Sequence, residues 1–216
     1  MLVPQVQVAA KHALMYPTLK KTIEGLTVTA IAAERKPALD SLASYIQEKK
    51  VAGAPILLNF ICTHNSRRSH LSQLWAQALG AYFKLDSLYC YSGGTETTAV
   101  FPMVVKTLLS QGFSSSQLSP GDNPVYAMGF GANSPAVIAF SKKYDHPFNP
   151  ESSFAAIMTC DAADQGCPFI VGAEKRIPIT FKDPKLSDGT PEQEATYAAR
   201  SLQIASELKY VFSQIT

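Results

Sequence analysis

The stretch that most constrains this chain is residues 56–79, I-L-L-N-F-I-C-T-H-N-S-R-R-S-H-L-S-Q-L-W-A-Q-A-L. Its apolar run, Ile56 to Ile61, reads as a short buried strand that ends on Cys62. A loop from Thr63 to Arg68 follows without an apolar residue. From Ser69 onward, Leu71, Leu74, Trp75, Ala78 and Leu79 recur at helical spacing on one face. A cysteine therefore sits where a strand runs into a polar loop, and the loop runs into a helix N-terminus.

Free backbone N–H groups along a tight loop and at a helix start attract negative charge. A thiol placed there is driven toward the thiolate. Arg68 can reach back over the loop, and its planar fork of donors suits a tetrahedral oxyanion such as phosphate or arsenate. Ser69 can donate its hydroxyl to the thiolate, and Asn65 tolerates a left-handed turn better than most residues. Thr63, His64, Ser66 and Arg67 complete the loop. The stretch reads as an oxyanion pocket with a nucleophile at its floor.

The pattern Cys-x5-Arg-Ser, with Asn three residues after the Cys, resembles the signature loop of low-molecular-weight tyrosine phosphatases and thioredoxin-coupled arsenate reductases. It departs from that loop at His64, where Gly is usual, and at Arg67, where a second Cys or a small residue is common. Arg67 adds positive charge at the rim. The resemblance implies an α/β fold, a four-stranded parallel sheet flanked by helices.

At 216 residues the chain is long enough for one core domain and an extension. We divide it into an N-terminal helical extension, 1–54, and a catalytic domain, 55–216. In the extension Val6, Ala9, Ala10, Ala13 and Leu14 suggest a short helix stopped near Pro17; Lys20 to Leu26 and Ser41 to Lys50 suggest two more. These helices would pack on the core or on a second subunit, which leaves a homodimer open. A formal net charge of +2 without a basic cluster argues against nucleic acid as a partner. No apolar stretch approaches the ~18 residues of a membrane span. The N-terminus lacks a basic region followed by an apolar core, so a cytoplasmic protein with reduced cysteines is expected.

Further on, Leu88 to Ser92 reads as a strand ending in Gly93-Gly94, where the family carries a similar Ser-Ala-Gly-Thr element. Cys90, inside it, reads as core. Val100 to Gln111 reads as a helix, Ser114 to Asn133 as loop and Pro135 to Phe140 as a strand. Much of 119–150 reads as an insertion able to form an edge hairpin, an extra edge strand or a lid, with His146 as a surface residue. The order of strands and helices points to right-handed parallel crossovers.

Phe154 to Thr159 is another apolar strand, and it ends on Cys160-Asp-Ala-Ala-Asp-Gln-Gly-Cys167-Pro168. A zinc site would need four ligands, and neither a second Cys pair nor a His pair stands at suitable spacing. A redox pair remains, and the segment resembles the resolving-cysteine segment of the arsenate reductases. Ile177 to Phe181 reads as the last strand, followed by Asp183-Pro184. Pro184 pushes Asp183 toward an extended backbone, and the position matches the family's general acid. Thr190 to Gln193 opens a final helix with an apolar stripe through Ala195, Ala198, Ala199, Leu202, Ala205, Leu208, Phe212 and Ile215, which should pack across the sheet and carry no function.

What the resemblance implies is reduction of arsenate to arsenite by Cys62, Cys160 and Cys167 in turn. Arg68 would hold the anion, Asp183 would act as acid and thioredoxin would be the electron donor, without metal or organic cofactor. The alternative is hydrolysis of phosphotyrosine or a small phosphate ester through a cysteinyl-phosphate. A non-catalytic oxyanion-binding module is a third reading.

Overall fold

The computed structural model describes residues 14–166 and 169–216. It begins with β1 (Leu14–Met15), α1 (Pro17–Gly25) and α2 (Lys36–Val51), then β2 (Ile56–Cys62), α3 (Arg68–Tyr82), β3 (Leu88–Gly94) and α4 (Pro102–Ser110). Four short strands follow, β4 (Ser114–Gln117), β5 (Tyr126–Gly129), β6 (Gly131–Ala132) and β7 (Val137–Ala139). The chain closes with β8 (Phe154–Met158), α5 (Asp161–Gly166), β9 (Ala173–Pro178) and α6 (Gln193–Ser213).

The central sheet has four parallel strands in the order β3-β2-β8-β9. β2 is paired on both sides and covered on both faces, which is why its sequence is almost continuously apolar. The register sets Cys62 opposite Gly94 and Ile61 opposite Met158. The ends of β2, β3 and β8 therefore come together at one rim, where parallel α/β sheets place their ligands. β9 is an edge strand, and Glu174, Lys175 and Arg176 give it the charge that discourages further pairing. At the opposite edge, Gln73 and Gln77 of α3 hydrogen-bond the outward groups of β3: Gln77 accepts from the Cys90 N–H, and the two amides donate to the Cys90 and Leu88 carbonyls.

Leu19 and Ile23 of α1 and Leu39, Leu42 and Ile46 of α2 are fully buried in the same core as the sheet. The helix expected over Val6 to Ala13 lies outside the described residues. Leu14 is in a strand paired with Ala132, and Pro17 begins a helix instead of stopping one. Proline suits that position because the first-turn N–H has no helical partner to lose.

Ser114–Asn133 is not a plain loop. β4, β5 and β7 form a separate antiparallel sheet, and beyond β7 Lys143 makes an isolated parallel bridge to Gly94 of the central sheet. The Ser-Ser-Ser-Gln of β4 has little strand propensity, and pairing to β5 supplies what the local sequence lacks. The last strand of the sheet starts earlier than expected and stops at Pro178, although Ile179 and Phe181 still hydrogen-bond to Met158 and Thr159.

α6 packs on α3, α2 and α4 more than on the sheet. Its buried face runs through Tyr197, Ser201, Ile204, Ala205, Leu208, Val211 and Phe212, while Leu202 is exposed. The bulky side chains choose the face, because burying them removes more apolar area than burying the alanines. Between α3 and α6, Trp75 is fully buried, donates its indole N–H to Ser201 at 2.8 Å and meets Phe113 edge-on at 5.1 Å. Trp75→Ala should cost about 3–5 kcal/mol of stability, read as a lowered denaturation midpoint; a loss within ~0.5 kcal/mol, the range of surface changes, would contradict this packing. Among the described residues no helix is long and apolar enough to cross a membrane.

Candidate active site

Cys62, the last residue of β2, is 4% exposed. Its sulfur lies 3.1 Å from Ser69 Oγ, and Ser69 Oγ in turn accepts a 2.9 Å hydrogen bond from Asn65 Nδ2. With that lone pair taken, the serine proton is free to point at the sulfur. Asn65 is buried in the left-handed conformation (φ 43°), as its place in the loop predicts. Its carbonyl accepts from His70 Nε2 at 2.9 Å, and its Oδ1 accepts from the Lys142 N–H at 2.9 Å.

His70 is fully buried; burial first, and the nearby Lys142 second, push its pKa down to about 3. The ring is therefore neutral near pH 7, donates from Nε2 to Asn65 and receives the Ser92 hydroxyl at Nδ1, 3.2 Å away. Lys142, 1% exposed, is itself pushed down to about 7 by burial. Its ammonium lies over the Phe140 ring. Neither His70 nor Lys142 was singled out in the sequence, because both act on the loop from beneath and carry no motif.

Among the described residues, the backbone N–H groups of His64 to Arg68 donate to no protein acceptor. Such a run of free donors at the start of α3 is what an anion requires. Gly94 lets the loop lie this close to β3: a Cβ there would come within 2.6 Å of the Thr63 carbonyl and 2.7 Å of the Asn65 nitrogen.

Arg68 is held by the segment that follows the last strand. It donates to the Phe181 carbonyl at 3.0 Å and to Asp183 Oδ2 at 2.6 Å, while its Nε is buried without a protein partner. Asp183 has the extended backbone (φ −69°, ψ 125°) expected before Pro184, and its Oδ1 accepts from the Lys185 N–H. Cys62, His64, Ser66, Arg67, Arg68 and Asp183 line one narrow cleft. His64 lies at its outer side, half exposed and 3.4 Å from Glu96.

Arg67 lines the cleft, but its guanidinium is engaged elsewhere. Nε donates to Tyr197 Oη at 2.6 Å, Nη2 donates to Asp188 Oδ2 at 2.5 Å, and the group lies 4.1 Å over the Phe101 ring. Tyr197 sits on α6, the helix from which no function was expected. Its one visible signal is an aromatic among alanines, A-T-Y-A-A.

Cys160 follows β8 and is 1% exposed. Its sulfur lies 3.4 Å from Thr63 Oγ1 in the oxyanion loop and accepts from the Ala163 N–H at 3.4 Å, so it caps α5. Cys62 and Cys160 belong to one buried cluster with Ile61 and Met158. Cys167 lies outside the described residues. Cys90 is a buried thiol of β3, pushed well up by burial, and it faces the core away from this chemistry.

No family model matches the chain, and no curated protein does. Among solved structures the chain is similar to a low-molecular-weight phosphotyrosine phosphatase from Vibrio cholerae O395, at 12% identity over 73% of this chain and 94% of that one, with a TM-score of 0.49. It is similar to the YwlE arginine phosphatase of Geobacillus stearothermophilus, at 14% identity over 74% and 92%, with a TM-score of 0.42. It is also similar to a thioredoxin-dependent arsenate reductase of Corynebacterium glutamicum, at 17% identity over 90% and 84%, with a TM-score of 0.39. Both enzyme types that the loop resembles are among them.

Proposed function

We propose that this chain reduces arsenate to arsenite by a thiol cascade. The observation that carries the reading is the placement of Cys160 beside Cys62. β2 and β8 are parallel neighbours with Ile61 opposite Met158. Continued past Met158 at strand spacing, about 4.8 Å between strands and about 3.3 Å per residue, Cys160 comes to roughly 6 Å from Cys62 between Cα atoms, inside the Cα range of a disulfide, and its sulfur lies 3.4 Å from Oγ1 of Thr63, the residue after Cys62. Ester hydrolysis through a cysteinyl-phosphate uses the Cys62 thiol alone.

Arsenate binds the free N–H groups of the loop and the Arg68 guanidinium, which leaves Asp183 to take it up. The Cys62 thiolate attacks arsenic, and Asp183 gives its proton to the departing oxygen, which leaves as water. The Cys160 thiolate then attacks Cys62 Sγ. The S–As bond breaks with its electron pair on arsenic, so As(V) becomes As(III) and arsenite leaves. Cys167 attacks Cys160 in turn, frees the Cys62 thiolate and leaves a Cys160–Cys167 disulfide for an external dithiol such as thioredoxin.

Asp183→Asn should slow formation of the Cys62 adduct by about 10²-fold or more, measured as single-turnover loss of Cys62 thiol on adding arsenate. An unchanged rate would remove Asp183 from the acid role. The reading itself is tested by peptide mapping of reduced protein after one equivalent of arsenate. A disulfide joining Cys160 to Cys62 or to Cys167 supports it; arsenate left intact with all thiols free overturns it.

One observation favours a second reading, hydrolysis of phosphate esters. A groove of about 370 Å³ adjoins the cleft, shares His64, Ser66 and Arg67 with it, and continues over Val100, Phe101, Pro102 and Lys185. It has room for the organic part of an ester. Hydrolysis of an aryl phosphate that persists when both Cys160 and Cys167 are replaced would support that activity.

A further inference from the structure

We infer that Arg67, Asp188 and Tyr197 are positioning residues that anchor the rear of the segment carrying Asp183, so that Asp183 can leave Arg68 and still point at the departing oxygen. The inference rests on the acid role proposed for Asp183.

Asp183 and Asp188 bracket a 3₁₀ turn, Pro184–Ser187. Two consecutive arginines hold its two ends: Arg68 holds Asp183, and Arg67 holds Asp188. The two ends are built differently. At the front, Arg68 is the guanidinium that an incoming oxyanion needs. The pair with Asp183 therefore has to open or rearrange when the anion binds, and Asp183 keeps only the Lys185 N–H of its own turn.

At the rear nothing competes. Tyr197 Oη accepts from Arg67 Nε and donates to Asp188 Oδ1 at 2.6 Å, Arg67 donates to Asp188 Oδ2, and Gln193 Nε2 adds a 3.2 Å bond to Asp188. This closes a triangle of charge-assisted hydrogen bonds. Phe101 touches both, with the Arg67 guanidinium over its ring at 4.1 Å and its ring stacked on that of Tyr197 at 5.7 Å, and it donates its N–H to the Ser66 carbonyl. Tyr197 is fully buried, and Arg67 and Asp188 are largely so. The triangle thus fixes the acid segment to the oxyanion loop itself. Asp183 swings over the length of a single turn, from a pivot that anion binding does not disturb.

The test uses the full chain with Asp188→Asn, Tyr197→Phe and Arg67→Lys, each alone and combined with Asp183→Asn. Two quantities are read: the affinity for inorganic phosphate by calorimetry, and the rate of Cys62 thiol loss at saturating arsenate. Asp188→Asn and Tyr197→Phe should each keep the phosphate affinity within about twofold, and all three single variants should lower the rate by about tenfold, part of the 10²–10⁴ a general acid supplies. Added to Asp183→Asn, each should lower the rate no further, since the anchor acts only through that carboxyl. Arg67→Lys should fail to rescue, because an ammonium cannot span Tyr197 and Asp188 as the planar fork does. Tyr197→Phe keeps the ring and is the variant that decides if the charge changes impair folding.

Additive losses with Asp183→Asn, or phosphate affinity falling in step with the rate in Asp188→Asn or Tyr197→Phe, would overturn the inference. The unaltered chain reads the underlying proposal separately. If it does not consume thiol with arsenate, the same cycle is read on phenyl phosphate, whose poor leaving group needs the acid. If it cleaves neither, the acid role falls and the anchor with it.

Discussion

Cys62→Ser should abolish the proposed arsenate reduction and any phosphate-ester cleavage together, a loss on the order of 10⁴-fold or more for removal of a nucleophile. The pocket explains why the substitution is severe although it changes one atom. Ser69, itself fed by Asn65, presents its hydroxyl to the sulfur at 3.1 Å, and the free N–H groups of the loop favour negative charge over it. A serine hydroxyl in the same place is a far weaker nucleophile than a cysteine sulfur and needs an adjacent general base to be activated. Phosphate binding should survive, because Arg68 and the loop donors remain. Steady-state assays with both substrate types, alongside phosphate titration, check this. Turnover surviving in Cys62→Ser would place the nucleophile elsewhere.

Cys160→Ser has the second large effect, and it separates the two activities. Arsenate turnover should fall to background, while cleavage of an aryl phosphate stays within about twofold, the scatter of a surface substitution of ~0.5 kcal/mol. The replacement is mild structurally, since serine is itself a good helix cap and can take over the Ala163 N–H and the Thr63 contact made by the sulfur. Loss of arsenate turnover then reports chemistry and not a collapsed loop. Mass spectrometry of the arsenate-treated variant should find no disulfide at Cys62. Equal loss of both activities would count against a redox role for Cys160.

The strand, loop and helix around Cys62 were legible because each obeys local rules. Ile56 to Ile61 has the continuous apolarity of a strand buried on both faces, Asn65 is a residue that tolerates positive φ, and Asp183 is set by the proline after it. What escaped was set by distant partners. The serines of β4 form a strand because β5 lies alongside. Lys142 serves the loop with its backbone N–H, to which every residue type but proline contributes equally. Tyr197 reaches Arg67 across 130 positions of sequence, and the alanines around it drew attention to the wrong face of α6. Arg67 was read as rim charge because its sequence neighbours could not reveal Asp188 and Tyr197 as its partners.

The central claim is that Cys62, Cys160 and Cys167 form one reducing cascade. Its most direct test is arsenate-dependent NADPH oxidation by the purified chain with thioredoxin and thioredoxin reductase. Turnover that requires arsenate and every protein, and that disappears in Cys62→Ser, Cys160→Ser and Cys167→Ser alike, is the predicted result. Absence of arsenate-dependent oxidation, with aryl phosphate hydrolysis intact in the same preparation, would contradict it and leave a phosphatase.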